Sequence, residues 1–137
     1  MSDPSQRLSP LATLHLGDRD AQSGPDALVH LAEKRSLGKI NLRADSADVA
    51  LMGAIENVLG YGLPREPNRT NGAGGRGALW LGPDEWLVTV PTGQEIALFE
   101  ALFQAAAGHH AALSDVSDAR TVLTLSGPRA RQVLEKG

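Results

Sequence analysis

Lys39-Ile40-Asn41-Leu42-Arg43 alternates polar and apolar residues, the period-two signature of a half-buried strand. Asp45 or Ser46 can cap a helix behind it. Leu51, Met52, Ile55, Val58 and Leu59 then recur at helical spacing and predict one buried stripe. Gly60 suits the position just past a helix end, where φ turns positive. Residues 61–77 are polar and rich in glycine and proline, and read as a loop. Residues 79–90 read as strand, turn, strand, with Pro83-Asp84 at the turn and Gly82 and Glu85 beside it. Thr92-Gly93-Gln94-Glu95 fits a capping box. The helix it opens has Ile96, Phe99, Leu102, Phe103 and Ala106 as its apolar face, which makes both phenylalanines core residues. Strands are predicted over 111–116 and 121–125. Ser126-Gly127-Pro128 starts a short helix that buries Ala130, Val133 and Leu134.

This order is β-α-β, β-α-β, then β-α. The first six elements predict an α+β fold of the ferredoxin-like, split βαβ kind: an antiparallel sheet with both helices on one face. Residues 36–118 form that domain. Residues 1–35 have weak periodicity and several breakers, and read as an N-terminal arm with one short helical turn near 26–33. Residues 119–137 read as the start of a second β-α unit, cut short after Gly137.

The two tryptophans, Trp80 and Trp86, bracket the Pro83-Asp84 turn. With Leu81 opposite Trp86 and Trp80 opposite Leu87, alternation sends the tryptophans to opposite faces. Trp86, Val88 and Val90 make the more apolar set and are assigned to the helices. Trp80 and Leu87 then share the open face with Lys39, Asn41 and Arg43 of the first strand. That mixed patch fits a protein interface, where Trp and Arg dominate binding energy. The alternative is a partly exposed Trp80 covered by the arm or by the second β-α unit.

The chain has 137 residues, no cysteine and a formal net charge of −3. Cysteine-based catalysis, disulfides and thiolate metal sites are thereby excluded. The acidic balance disfavours a nucleic-acid binder. An RNA-binding reading fails further, because the central strands lack outward aromatics to stack bases. No stretch approaches the roughly 20 apolar residues of a membrane span, and the first residues lack the pattern of a secretory signal. A cytoplasmic protein is expected.

Four groups of residues invite a chemical reading. Gly72-Ala73-Gly74-Gly75-Arg76-Gly77 spells G-x-G-x-x-G, but it precedes a strand where a dinucleotide fingerprint opens a helix. His109-His110 follow a helix end, and neighbouring histidines project differently. Asp115, Ser117, Asp118 and Arg120 sit at a corner between strands, as an acid–base pair or as a turn fixed by side-chain hydrogen bonds. Arg129 and Arg131 lie on the last helix, as a solvated face or as a contact for an acidic partner. No nucleophile or zinc-protease motif occurs. Catalytic, cofactor-binding and metal residues are therefore all expected to be absent from this chain.

Two stretches are specific enough to resemble a known family. "LPREPNRTNGAGGRGALWLGPDEWLV", from Leu63, and "DVSDARTVLTLSGPRARQVLEKG", from Asp115, are similar to the gamma subunit family of heterotetrameric sarcosine oxidase. The resemblance covers residues 37–137. It implies a fold like the folate-binding domain of the aminomethyltransferase of glycine cleavage. It also implies a place in an enzyme that oxidises sarcosine to glycine with hydrogen peroxide and passes the one-carbon unit to tetrahydrofolate. On that resemblance the alpha and beta subunits hold FAD, FMN, NAD and tetrahydrofolate, the delta subunit binds zinc, and the gamma subunit supports assembly without a cofactor. The rival reading is a free folate-binding or one-carbon transfer module, with Asp115 or Asp118 facing the pterin.

Overall fold

The computed structural model describes residues 9–35 and 37–137. The first part of the expected arm and Ser36 lie outside the described residues. The chain divides into two units: residues 37–117, and the described segments that flank them.

The central unit contains β2 (Gly38–Ala44), α2 (Val49–Leu59), β3 (Thr70–Ala73), β4 (Arg76–Gly82), β5 (Glu85–Val90), α3 (Glu95–Ala105) and β6 (Ala111–Asp115). The strands form one antiparallel sheet in the order β3-β4-β5-β2-β6. Without β3 this is the ferredoxin-like order, with β2 and β5 central. Ile40, Leu42, Ala78, Trp86, Val88 and Val90 of the sheet pack with Leu51, Met52, Ile55 and Leu59 of α2 and with Leu98 and Leu102 of α3 in one core. The alternation along β2 and the stripe along α2 thus bury the residues they predict. Gly60 ends α2 at φ 83°.

Two details of the helices differ from the expectation. Asp48, rather than Asp45 or Ser46, caps α2 by accepting from the Leu51 N–H at 3.0 Å. The helix α3 opens without a Thr92 cap; Glu95 instead accepts from the Gly93 N–H at 2.7 Å. Its side chain is buried beside Gly38, where an added Cβ would lie 2.8 Å from Glu95 Cβ and 2.7 Å from Val90 Cγ1. This inward Glu95 sets the phase of α3. Glu95, Leu98 and Leu102 face the sheet, and Ile96 and Phe103 are left exposed on the flank. Phe103 is therefore not a core residue.

The glycine-rich segment is a hairpin rather than a loop. Gly72 pairs with Gly77 and Ala73 with Arg76. Gly74 and Gly75, at φ 61° and 80°, make the two-residue turn, the positive-φ pair that hairpins favour.

The flanking unit contains a 3₁₀ turn (Ala12–Leu14), α1 (Leu16–Gln22), β1 (His30–Lys34), β7 (Val122–Ser126) and α4 (Ala130–Leu134). Residues 30–34, expected within a helical turn of an arm, are a strand paired antiparallel with β7. The two ends of the described chain thus build one two-stranded ribbon. None of its described residues is fully buried. Val133 and Leu134, expected inside, are exposed. The polar centre of this unit is Glu33, which accepts from the hydroxyls of Ser9 and Thr121 and lies 3.6 Å from Arg35 Nε. The hydroxyl of Ser9 first, and that of Thr121 next, hold the Glu33 carboxyl below its ordinary range.

Candidate protein interface

The register of β4 against β5 decides which side chains the open face presents. Ala78 lies opposite Val88, Leu79 opposite Leu87, and Trp80 opposite Trp86. The pairing shifts by one residue between Trp80 and Gly82, so that Gly82 lies opposite Glu85 and Leu81 is an extra residue on β4. Directly opposed residues share a face. Both tryptophans therefore point to the helical side, and the expected assignment of Trp80 to the open face is corrected. A turn with Pro83 at its first corner does not match the twist of two paired strands, and an inserted residue restores the ladder. The carbonyl of Asp84 accepts from the Ala44 N–H at 3.1 Å and its carboxylate from the Ser46 N–H at 2.9 Å. These two bonds tie the turn to the end of β2.

Trp86 is fully buried and donates its indole N–H to the Pro64 carbonyl at 2.7 Å, which fixes the long segment after α2 over the core. Trp80 is only partly buried, and its Nε1 meets no acceptor among the described residues.

The open face then consists of Lys39, Asn41 and Arg43 of β2, Glu85, Leu87 and Thr89 of β5, and Leu79 of β4. Leu79 holds the place expected for Trp80. Asn41 donates to Glu85 at 2.9 Å, and Arg43 reaches the same carboxylate at 3.4 Å. Lys39 is buried and donates its Nζ to the Leu37 carbonyl at 2.8 Å. Of the expected interface residues, Asn41, Arg43 and Leu87 lie together here, Lys39 is turned to a local role, and Trp80 is elsewhere. Leu79 is the residue the sequence reading missed, because nothing in the residue order marks the inserted Leu81.

Among the other candidates, the Asp115–Ser117 corner and His109 have hydrogen-bond partners within the central unit. The glycine-rich hairpin joins two strands and opens no helix, unlike a dinucleotide fingerprint. Ser117 donates through its N–H and hydroxyl to Asp115 Oδ1 at 2.9 and 2.5 Å, and its Oγ accepts from the Lys39 N–H at 2.9 Å. This is a turn locked onto the sheet, the second of the two readings of that corner. Asp118 and Arg120 lie in the flanking unit. Arg129 and Arg131 are exposed. No three His, Asp or Glu side chains among the described residues are placed to hold a metal. An open cleft of about 500 Å³ lies at the end of the sheet between Arg43, Asp45, Asp84 and His110.

His109 leaves His110 and pairs with Asp48, Nδ1 to Oδ2 at 2.7 Å. The Leu51 N–H first, and His109 next, hold the Asp48 carboxyl below its ordinary pKa of 3.8. A carboxyl depressed on folding contributes stability above its unfolded pKa and loses it as pH falls through the lower folded value. Melting temperature should therefore fall as pH drops from 5 to about 3. Asp48→Asn keeps a capping side chain but cannot ionise, so its acid dependence should be shallower. Identical slopes in thermal melts of the two proteins would contradict this account.

The fold and this face define a class: an α+β protein of the ferredoxin-like kind, in which Asp48 and Ser117 bond backbone N–H groups of the central unit. The chain belongs to the sarcosine oxidase gamma subunit family, whose model matches residues 43–137. A sarcosine oxidase subunit gamma from Arthrobacter sp. is 38% identical over 123 residues, 89% of this chain and 59% of the relative. One from Corynebacterium sp. (strain P-1) is 35% identical over the same share of each. This chain thus spans less than two thirds of either relative. Among solved structures, heterotetrameric sarcosine oxidase from Corynebacterium sp. U-96, in complex with pyrrole 2-carboxylate, contains a chain that matches 96% of this one. The TM-score is 0.83, the identity 32%, and 66% of that chain is covered. The glycine cleavage system aminomethyltransferase T from Bartonella henselae matches 99% of this chain over 38% of its own, with TM-score 0.61 and 18% identity. That second likeness shows a shared fold. No helix among the described residues is long and apolar enough to cross a membrane.

Proposed function

We propose that this chain is an assembly-supporting, non-catalytic subunit of a heterotetrameric sarcosine oxidase. The enzyme would oxidise sarcosine to glycine with formation of hydrogen peroxide and pass the one-carbon unit to tetrahydrofolate. Its partners would be the alpha, beta and delta subunits, which would hold FAD, FMN, NAD, tetrahydrofolate and zinc. The observation that carries this reading is the match of 96% of the chain to a chain of the Corynebacterium complex. The Ser117 Oγ that bonds Asp115 also accepts from the Lys39 N–H, which gives that corner a structural role. A free folate module finds less support, because Asp115 Oδ1 already accepts two bonds from Ser117.

The face we assign to docking is the open side of the sheet around Leu79, Leu87, Asn41 and Arg43. Leu79 is 36% exposed beside Leu87, and the Asn41–Glu85–Arg43 cluster forms a polar rim. An apolar centre with a satisfied polar edge is the usual anatomy of an interface. The test is co-expression with the other subunits of the same organism's enzyme and purification through a tag on the alpha subunit. Wild-type chain should be retained. Leu87→Asp should lower retention at least tenfold with an unchanged circular dichroism spectrum, and Trp80→Ala should not. Absence of the wild-type chain from the purified enzyme would sink the subunit reading. Retention of Leu87→Asp at wild-type level would remove the open face from it.

A further inference from the structure

The flank of α3 exposes apolar surface that the fold does not use. Ile96 is 38% exposed and Phe103 is 58% exposed. Phe103 stacks on Phe99, ring centroids 6.4 Å apart and planes 9° from parallel. Phe99 in turn packs against the core. The exposed ring is therefore held in place before any partner arrives, which lowers the entropy lost on binding. Glu100 is exposed, four residues after Ile96 and three before Phe103, so it neighbours both on the helix surface. The bond between His109 and Asp48 brings the start of α2 to the segment after α3. There Val49, 83% exposed, adds to the apolar surface.

The charge on the exposed surface of α3 beside Ile96 and Phe103 is the Glu100 carboxylate. Neither α2 nor α3 contains a lysine or arginine, and both contain glutamate. The arginines that reach the layer are already bonded: Arg65 to Glu56 at 2.9 Å, and Arg76 to Gln94 at 3.4 Å. An aromatic knob beside an unpaired-side carboxylate calls for an apolar pocket edged by Lys or Arg, since like charges across an interface repel. A second copy docked through the same patch would set Glu100 against Glu100 and is disfavoured.

We infer that the α3 flank, centred on Phe103 with Ile96 and Glu100, docks into an apolar pocket rimmed by basic residues on another subunit of the assembly. The inference rests on the subunit reading above. It makes the central unit bivalent, with one docking face on each side of its sheet.

The test compares wild type, Phe103→Asp, Phe103→Leu and Glu100→Lys in the co-expressed, tag-purified enzyme, washed at low and at high salt. Phe103→Asp and Glu100→Lys should each reduce retention at least tenfold, and Phe103→Leu should stay within about threefold of wild type. Both side chains are largely exposed, so the isolated variants should stay folded, with circular dichroism spectra like wild type. Retention of Phe103→Asp and Glu100→Lys at wild-type level, with Leu87→Asp lost, overturns the α3 site and leaves the subunit reading standing. Loss of the wild-type chain itself overturns both. A concentration-dependent dimer of the isolated chain in sedimentation, abolished by Phe103→Asp, identifies a second copy as the occupant and also overturns the proposal.

Discussion

Trp86→Ala should lower the stability of the central unit by about 3–5 kcal/mol, the usual loss for deleting a large buried aromatic. Trp86 is fully buried at the centre of the sheet, against core residues from both helices. The substitution also strands the Pro64 carbonyl, which accepts the indole N–H at 2.7 Å. Trp86→Phe separates the two effects. It keeps most of the ring volume and loses the hydrogen bond, so it should cost about 1–3 kcal/mol. Urea unfolding followed by far-ultraviolet circular dichroism measures both. A loss under about 1 kcal/mol for Trp86→Ala would mean that the core closes over the gap, against the range for such deletions. Trp80→Ala should cost less, because that ring is only partly buried and its Nε1 holds no bond among the described residues to lose.

The second large effect should come from Gly127→Ala, and it should be local. Gly127 sits at φ 106°, and a Cβ there would lie 2.6 Å from the Leu28 carbonyl oxygen. The same carbonyl accepts from the Arg129 N–H at 3.0 Å, so it cannot retreat without breaking the bond that starts the last turn. Backbone strain in this region of φ costs about 1–3 kcal/mol, and the close contact adds to it. The β1–β7 ribbon has no fully buried residue to offset such a loss. Amide exchange in 30–34 and 122–126 should accelerate strongly in the variant, with exchange in β2 and β5 unchanged. Uniform acceleration across both units would show that they open together, and unchanged exchange in the ribbon would remove the steric account of Gly127.

These two sites show how far local pattern carries. The alternation from Lys39 to Arg43 identifies a strand and its buried residues, because a side-chain period of two needs no partner to be read. The stripe from Leu51 to Leu59 does the same for a helix, and Gly60 marks its end. From such elements the antiparallel sheet with two helices on one side follows, since few other arrangements bury those stripes. The stretches from Leu63 and Asp115 are specific enough to suggest the family, and the family match bears that out.

The face proposed for docking was less legible. Alternation assigns faces only once register is known, and one inserted residue reverses the assignment of everything beyond it. Leu81 is that residue; its insertion moves Trp80 to the helical side and puts Leu79 in its place. Phe103 differs for a similar reason. The capping box and the apolar spacing favour one rotation of α3, and the space left by Gly38 for the Glu95 side chain imposes another.

The sequence by itself did not determine α1, β1 or β3, but it determined the class of fold, most of the central core, and the strands and helices β2, α2, β4, β5, α3 and β6 in their order. Each of these depends on neighbours along the chain and on the period of burial. Tertiary structure alone decided the pairing of residues 30–34 with β7, the bulge at Leu81 and the phase of α3. Those depend on contacts between residues distant in sequence, where a single missing Cβ or an extra residue outweighs local preference. The surfaces proposed for docking follow from these contacts and not from local pattern.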